Sequence, residues 1–267
     1  MNFIQIAILA LIQGAAELLP VSSSAHVIFA EKLMGLDPSS PEMTFLLVML
    51  HTGTMFAVLG YFWPKWKDLF FKKGPMQVHL VKQLILATAC TGAFGFGLKT
   101  IIEKLILEKL LGHSHGEIEH LFKELPLIGI ALASVGVLIL VAAKREPRPG
   151  KSELQASDSV WIGIVQGLCL PFRGFSRSGA TISTAFFRGI GRDLAENFSF
   201  ALAVILTPPV IVRELLRLLK HKSQDGGAEL DYHAIFLPGM AGMVLSFASG
   251  YFALRSEERR VGKECRL

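Results

Sequence analysis

Two apolar stretches of this chain are broken in their middles by Pro, Gly and Ser, and nothing constrains the fold more. The first, residues 3–36, is interrupted at Leu19-Pro20-Val21-Ser22-Ser23-Ser24; the second, residues 160–190, at Pro171-Phe172-Arg173-Gly174-Phe175-Ser176-Arg177-Ser178-Gly179. A helical crossing of a bilayer takes about 20 apolar residues, and no half of either stretch supplies them. Backbone that leaves the helix at membrane depth survives only where protein or a water-filled cavity satisfies its N–H and C=O groups. Each stretch is therefore expected to be a helical hairpin that enters the membrane, turns and goes back.

The two stretches also echo each other. Gln13-Gly14 and Gln166-Gly167 each follow an apolar run, and each is followed by a Leu-containing stretch, a Pro and a Ser cluster. Paired broken segments in two halves of a membrane chain point to a binding site where the repeats meet.

Composition supports a polytopic membrane protein. Hydrophobic residues make up 51% and charged residues 18%, against about 25% charged in soluble domains. The net charge of +5 fits cytoplasmic loops better than a nucleic-acid surface. Cys90, Cys169 and Cys265 form neither a disulfide framework nor a metal spacing. No cleavable signal is evident. Apolar runs predict crossings at Met43–Trp63, Gln83–Ile102, Leu125–Ala143, Phe198–Leu219 and Ala234–Leu254.

The expected fold is thus an all-α integral membrane domain over residues 1–254, built from inverted-topology repeats of about 1–143 and 158–254. Each repeat is a re-entrant hairpin plus three transmembrane helices. Three crossings reverse the chain, so the hairpins enter from opposite faces and meet at mid-membrane. The second half shows two crossings before Arg255-Ser256-Glu257-Glu258-Arg259-Arg260-Val261-Gly262-Lys263-Glu264-Cys265-Arg266. Residues 255–267 read as a non-native tail, resembling a translated sequencing adapter, with the last helix missing. A basic cytoplasmic tail is the alternative. Loop lysines and arginines set the orientation. Lys65, Lys67, Lys72, Lys73 and Lys82, then Lys144, Arg145, Arg148 and Lys151, mark cytoplasmic loops, and the acidic segment 103–124 lies outside. Arg213, Arg217, Lys220 and Lys222 run against this count.

An ionisable residue within a membrane segment costs about 3 kcal/mol or more and is a functional candidate by default. Glu17 and His26 flank Pro20. Pro20 and the serines should end one helix and cap the next. A helix starting near Ser23 aims backbone N–H groups at the tip, which suits an anion, and His26 falls in its first turn, on or near the face of Ser22 and Ser23. One serine there would merely cap; Glu, two Ser and His together point to chemistry. In the second hairpin Ser176 or Ser178 caps a helix at whose start Arg177 can grip phosphate through a bidentate fork. Arg173 either assists or snorkels to the interface. An ion pair between Arg177 and Glu17 is compatible with a resting state.

These groups suit phosphoryl transfer or hydrolysis. Arg177 and helix N-termini offset charge on the non-bridging oxygens. The nucleophile is Ser23 with His26 as base, His26 itself, or water. Glu17 either holds a divalent cation on a diphosphate or moves protons. Gln13, one turn before Glu17, either orients it or binds the same ion.

Gln13-x-x-x-Glu17 followed by Leu19-Pro20-Val21-Ser22-Ser23 and His26 resembles the glutamate-rich motif of the bacterial undecaprenyl-diphosphate phosphatases, the bacitracin-resistance family. Phe175-Ser176-Arg177-Ser178-Gly179-Ala180-Thr181 is similar to its second signature, and Leu50-His51-Thr52-Gly53-Thr54 matches as well. The resemblance runs to about Leu254. It implies hydrolysis of a C55 isoprenoid diphosphate to the monophosphate, regenerating the lipid carrier of peptidoglycan synthesis and conferring bacitracin resistance. It implies a divalent cation, Mg or Ca, in an inner-membrane protein whose site faces the periplasm. Carried over by motif, Glu17, Ser23, His26 and Arg177 are catalytic. Ser22, Arg173, Ser176 and Ser178 bind substrate, and Glu17 with Gln13 holds the metal. Two departures stand out: Gln13 occupies a position where many members carry Glu, and Pro171-Phe172-Arg173-Gly174 replaces a commoner Pro-Gly pair.

The rival class is a transporter or flippase for a phosphorylated polyprenyl lipid, because inverted repeats with broken helices also build transporters. A transporter needs Arg177 but no nucleophile or base. No Walker A motif is present, so an ATP-driven pump is not expected. His113, His115 and His120 with Glu117 and Glu119 read as a solvated loop, and His51 reads first as a hydrogen-bonded core histidine. Thr207-Pro208-Pro209 kinks its helix, opening space for lipid or curving the packing. The expected partners are a polyprenyl diphosphate and the bilayer; a homo-oligomer is left open.

Overall fold

A computed structural model of the chain describes residues 1–19, 21–102, 124–224 and 232–264. These form nine α-helices and no strand: α1 (Phe3–Leu18), α2 (Ser23–Leu33), α3 (Pro41–Trp66), α4 (Pro75–Ile101), α5 (Leu125–Ala143), α6 (Ala156–Cys169), α7 (Arg177–Phe187), α8 (Arg192–Gln224) and α9 (Tyr232–Glu264). A π-helical turn, Lys67–Phe71, extends α3. The all-helical membrane architecture expected from the sequence is therefore present.

Among the described residues, five helices are long and apolar enough to cross a membrane: Glu42–Phe71, Pro75–Ile101, Leu125–Ala143, Arg192–Arg213 and Phe236–Ser256. The shortest has 19 residues, about 28 Å at 1.5 Å per residue, which matches the hydrocarbon core. All five predicted crossings are found, but several boundaries move outward. α4 begins at Pro75, and α8 begins at Arg192 with Asp193 in its first turn. Pro is pre-organised for the first helical position, and a carboxylate there suits the helix dipole, so these helices extend into polar sequence. Lys82 consequently lies inside α4.

Both broken stretches are helix pairs. α1 stops at Leu18 and α2 starts at Ser23; α6 stops at Cys169 and α7 starts at Arg177. The start of α1 is fixed by a reciprocal cap, in which Asn2 Oδ1 accepts from Gln5 N–H and Gln5 Oε1 accepts from Asn2 N–H, both at 2.9 Å.

The chain divides into two compact units that do not follow its two halves. One comprises Met1–Leu19, His26–Pro64 and Leu206–Leu267; the other comprises Pro20–Ala25 and Lys65–Ile205. In the first unit α1 packs on α9, and Leu9, Ala10, Val27, Leu46, Leu47 and Leu50 form a buried core. Gly14 lets the helices meet: a Cβ there would strike the Ser249 side chain and lie 2.7 Å from Gly250 N. In the second unit α6 packs on α4, and a Cβ at Gly167 would lie 3.0 Å from both Gly95 N and Thr91 O. Small residues at such seams let two backbones approach closely enough for dispersion to hold them in lipid. Both glycines belong to the echoed Gln-Gly pairs. The chain passes between units within α2, α3 and α8. The α3 passage falls beside Pro64 and the α8 passage just before Pro208-Pro209, all three inside helices.

The second hairpin is clamped at its base. Asp158, fully buried in the first turn of α6, accepts from Arg188 Nε at 2.7 Å and from Gln155 N–H at 3.0 Å. Arg188 ends α7 and also donates to Ser157 Oγ at 2.9 Å. Trp66 Nε1 donates to the buried Asn197 Oδ1 at 3.0 Å, and Lys65 pairs with Asp193, joining the end of α3 to the start of α8.

Candidate active site

Glu17 sits in a polar cluster built from α1 and α3. Gln13 and Glu17 are one helical turn apart, and Gln13 Nε2 donates to Glu17 Oε2 at 2.9 Å. That bond fixes the amide, because the opposite orientation would set carbonyl oxygen against carboxylate. Gln13 is fully buried, and among the described residues no donor reaches its Oε1. His51 approaches from α3, with its Nε2 3.5 Å from the same Glu17 Oε2. Its Nδ1 lies 2.8 Å from Leu47 O; a carbonyl only accepts, so Nδ1 carries a proton. The Glu17 and His51 side chains keep 15% and 26% of their exposure, so the cluster is open on one side.

His51 was read from sequence first as a core histidine. It makes the backbone hydrogen bond that reading requires and also meets the site carboxylate. The signal was its place in Leu50-His51-Thr52-Gly53-Thr54, but the facing of α3 toward α1 depends on how the helices pack.

The two tips lie in one compact unit: residues 20–25 of the first hairpin belong with the whole second hairpin. Ser22 has φ 64°, a left-handed conformation that a non-glycine residue rarely holds. It is 6% exposed and Ser23, the first residue of α2, is 5% exposed. Successive N–H groups around such a turn form a concave donor set for anions, and strain of this kind collects at functional sites.

In the second hairpin Ser176 is buried, caps α7 by accepting from Gly179 N–H at 3.2 Å, and lies 3.4 Å from Ser178 Oγ. Arg177 is therefore the first residue of α7, half-buried at the positive end of that helix. Thr181 secures this end: its hydroxyl donates to Arg177 O at 2.9 Å and shares a hydrogen bond with Ser199 Oγ of α8 at 2.7 Å. Arg173 is half-buried in the turn before α7, and Gly174 beside it has φ 97°.

His26 lies in the first turn of α2, as predicted, but is exposed while Ser22 and Ser23 are buried. It shares its flank with the exposed Phe29 and Leu33. The sequence reading did not single out Glu31, whose side chain is buried on the same helix, nor the Asp158–Arg188 clamp. Polar residues near helix ends look solvated until packing encloses them. The His113, His115 and His120 loop lies outside the described residues.

Among the described residues no three His, Cys, Asp or Glu side chains gather at metal spacing. Glu17 and Gln13 both carry oxygens of the kind a divalent cation takes, while the Gln13 amide turns its N–H to that carboxylate here.

The sequence matches the family model described as "Bacitracin resistance protein BacA" over residues 6–259. It is 53% identical to "Undecaprenyl-diphosphatase 2" of Acinetobacter baylyi, covering 96% of this chain and 88% of that protein. It is 35% identical to "Undecaprenyl-diphosphatase" of Desulfosudis oleivorans, covering 96% and 89%. It is 32% identical to the protein of the same name from Gluconacetobacter diazotrophicus, covering 96% and 88%.

Proposed function

Because this chain belongs to the bacitracin resistance protein BacA family, we propose that it hydrolyses undecaprenyl diphosphate to undecaprenyl phosphate and inorganic phosphate, returning the lipid carrier to peptidoglycan synthesis. The observation that carries the reading is an arginine at the start of the capped helix α7, in the same compact unit as the Ser22–Ser23 turn; α1 separately supplies an oriented carboxylate. Phosphoanhydride cleavage requires both kinds of group.

In the reaction the bond between the terminal phosphorus and the bridging oxygen breaks, and a nucleophile oxygen or nitrogen bonds to that phosphorus. Arg177, the α7 N–H groups and the N–H groups around Ser22 and Ser23 bind the phosphate oxygens and offset the charge that develops on them. Ser176, Ser178 and Arg173 support this anion site. Water attacks directly, or Ser23 or His26 attacks first and water then cleaves the phosphoryl-enzyme to release inorganic phosphate; the lipid monophosphate leaves with the bridging oxygen, and Glu17 accepts the proton of the attacking group. Glu17 and Gln13 would hold a divalent cation, Mg or Ca, which when bound neutralises charge on the diphosphate. No step needs the chain to alternate between membrane faces.

The protein is a multi-pass membrane enzyme of the bacterial inner membrane, with its site facing the periplasm; the lysine- and arginine-rich segments 65–73 and 144–151 support the opposite side as cytoplasmic. Its halves are inverted repeats, a reading supported by Gly14 and Gly167 occupying close seams with the second crossing of the opposite half.

The test is phosphate release from a long-chain isoprenyl diphosphate by the purified chain in detergent. Release that chelation suppresses, and that Glu17→Ala and Arg177→Ala both abolish, supports the reading. A folded protein that binds the diphosphate and releases no phosphate overturns it.

A further inference from the structure

We infer that the second compact unit, residues 20–25 and 65–205, carries a docking surface for the headgroups of anionic phospholipids, built where the ends of α3 and α5 are held to the start of α8. None of its residues belongs to the hairpin tips, so it stands apart from the proposed hydrolysis.

Three observations carry it. First, the fold gathers two basic segments at one end of the unit. Lys65 pairs with Asp193, and Trp66 Nε1 donates to Asn197 Oδ1 at 3.0 Å. Arg192 donates to both Glu146 oxygens at 2.8 and 3.0 Å, and Lys151 N–H donates to Gly189 O at 2.8 Å. Segments 65–73 and 144–151 are thereby tied to one short stretch, residues 189–197.

Second, cations outnumber acids there. Each segment holds four Lys or Arg and one carboxylate, Asp68 or Glu146. Because Arg192 engages both Glu146 oxygens, Arg148, 3.8 Å from that carboxylate, keeps 83% of its side-chain exposure. Lys67, Lys72, Lys73 and Lys144 are exposed, and among the described residues none of them pairs with a carboxylate.

Third, cations stand beside exposed rings. The Arg145 guanidinium lies 5.8 Å over the exposed Phe187 ring, and the exposed Phe71 ends the π-helical turn directly before Lys72-Lys73. A ring and a cation so joined suit the level where hydrocarbon gives way to headgroups: the ring enters the acyl boundary and the charge reaches up to phosphate. A nucleic acid or an acidic protein loop would meet the charge and leave the rings in water; a phospholipid answers both. A zwitterionic headgroup brings its own ammonium, so surplus cations select a net negative one, each strengthening binding by about fivefold.

The experiment titrates the full chain, delipidated in neutral detergent, with phosphatidylglycerol and with phosphatidylcholine of the same acyl chains, and native mass spectrometry counts the lipids bound. The expected result is phosphatidylglycerol binding at least about tenfold tighter, an advantage that shrinks as salt rises. Lys72→Gln/Lys73→Gln/Lys144→Gln should lose the preference, and Arg213→Gln, which removes an exposed cation of α8 in the other unit, should keep it. The three single variants replace the triple one if it does not fold, each weakening phosphatidylglycerol binding by about fivefold. Equal affinity for the two lipids, or a preference that survives these substitutions, overturns the surface. Displacement of the lipid by soluble glycerol 3-phosphate overturns the lipid as occupant in favour of a free anion. Phosphate release in lipid-free detergent should match the unsubstituted chain, and its loss in the folded triple variant would tie these lysines to hydrolysis instead.

Discussion

Arg188 Nε donates to Asp158 Oδ1 at 2.7 Å, and this bond helps close the base of the hairpin whose tip carries Arg177. Asp158 is fully buried, so its charge has to be met by protein. Removing one partner of a buried pair costs about 3–5 kcal/mol, because the other charge is stranded. Arg188→Ala and Asp158→Ala should both lower the thermal midpoint in detergent. Arg188→Ala should cost more, since it leaves the fully buried Asp158 with only the exposed Lys151 Nζ at 4.0 Å, whereas Asp158→Ala leaves Arg188 partly solvated. Equal midpoints to the unsubstituted chain would show that the clamp carries no stability.

Arg177 is expected to act through its planar fork. Arg177→Ala should lower phosphate release by about 10²–10³-fold, the usual loss when one transition-state donor is removed. Arg177→Lys should recover only a fraction, because an ammonium cannot bind two oxygens in parallel. Steady-state kinetics with both variants decides this; full activity in the lysine variant would reduce the role to charge alone.

Ser22 holds φ 64° at a cost of about 1 kcal/mol. Ser22→Gly should remove that strain and raise the thermal midpoint, and Ser22→Val should lower it, since a β-branched residue tolerates this region least. A midpoint indifferent to either change would mean the turn relaxes freely.

The helix seams admit no side chain. Gly14→Val and Gly167→Val should each destabilise by about 1–3 kcal/mol, because the added atoms meet Ser249 and Gly250 in one case and Gly95 and Thr91 in the other. Gly60→Ala on α3, with nothing within 4 Å of the new Cβ, should be neutral or stabilise by up to about 1 kcal/mol. Melting curves of the three variants side by side make the comparison.

The hydrogen bonds from Arg192 Nε and Nη2 at 2.8 and 3.0 Å hold the Glu146 carboxyl below the usual carboxylate range, against the opposing effect of its partial burial; the charges of Arg192 and Arg148 add to the lowering. A carboxyl whose folded pKa is depressed contributes stability above its unfolded pKa and loses it as pH falls through the folded one. Acidification below the ordinary carboxylate pKa should therefore lower the thermal midpoint of the unsubstituted chain more than that of Glu146→Gln. Parallel pH dependences would remove Glu146 from the acid response.

The sequence alone determined the crossings and the two breaks between helices, and marked the polar groups beside those breaks as candidates. Apolar length sets the crossings, and the clusters around Ser22 and Ser176 end helices whatever surrounds them. Glu17 and Arg177 stood out because an ionisable group at membrane depth demands a reason. Tertiary structure alone decided what those groups meet. That His51 faces Glu17, that Thr181 holds the start of α7 through Ser199, and that Asp158 is enclosed with Arg188 all follow from which helix lies against which. Helix pairing in a membrane rests on close packing at sites such as Gly14 and Gly167, where the absence of a side chain matters. A single sequence marks that as one glycine among 25, and only the packed neighbours distinguish it from Gly60.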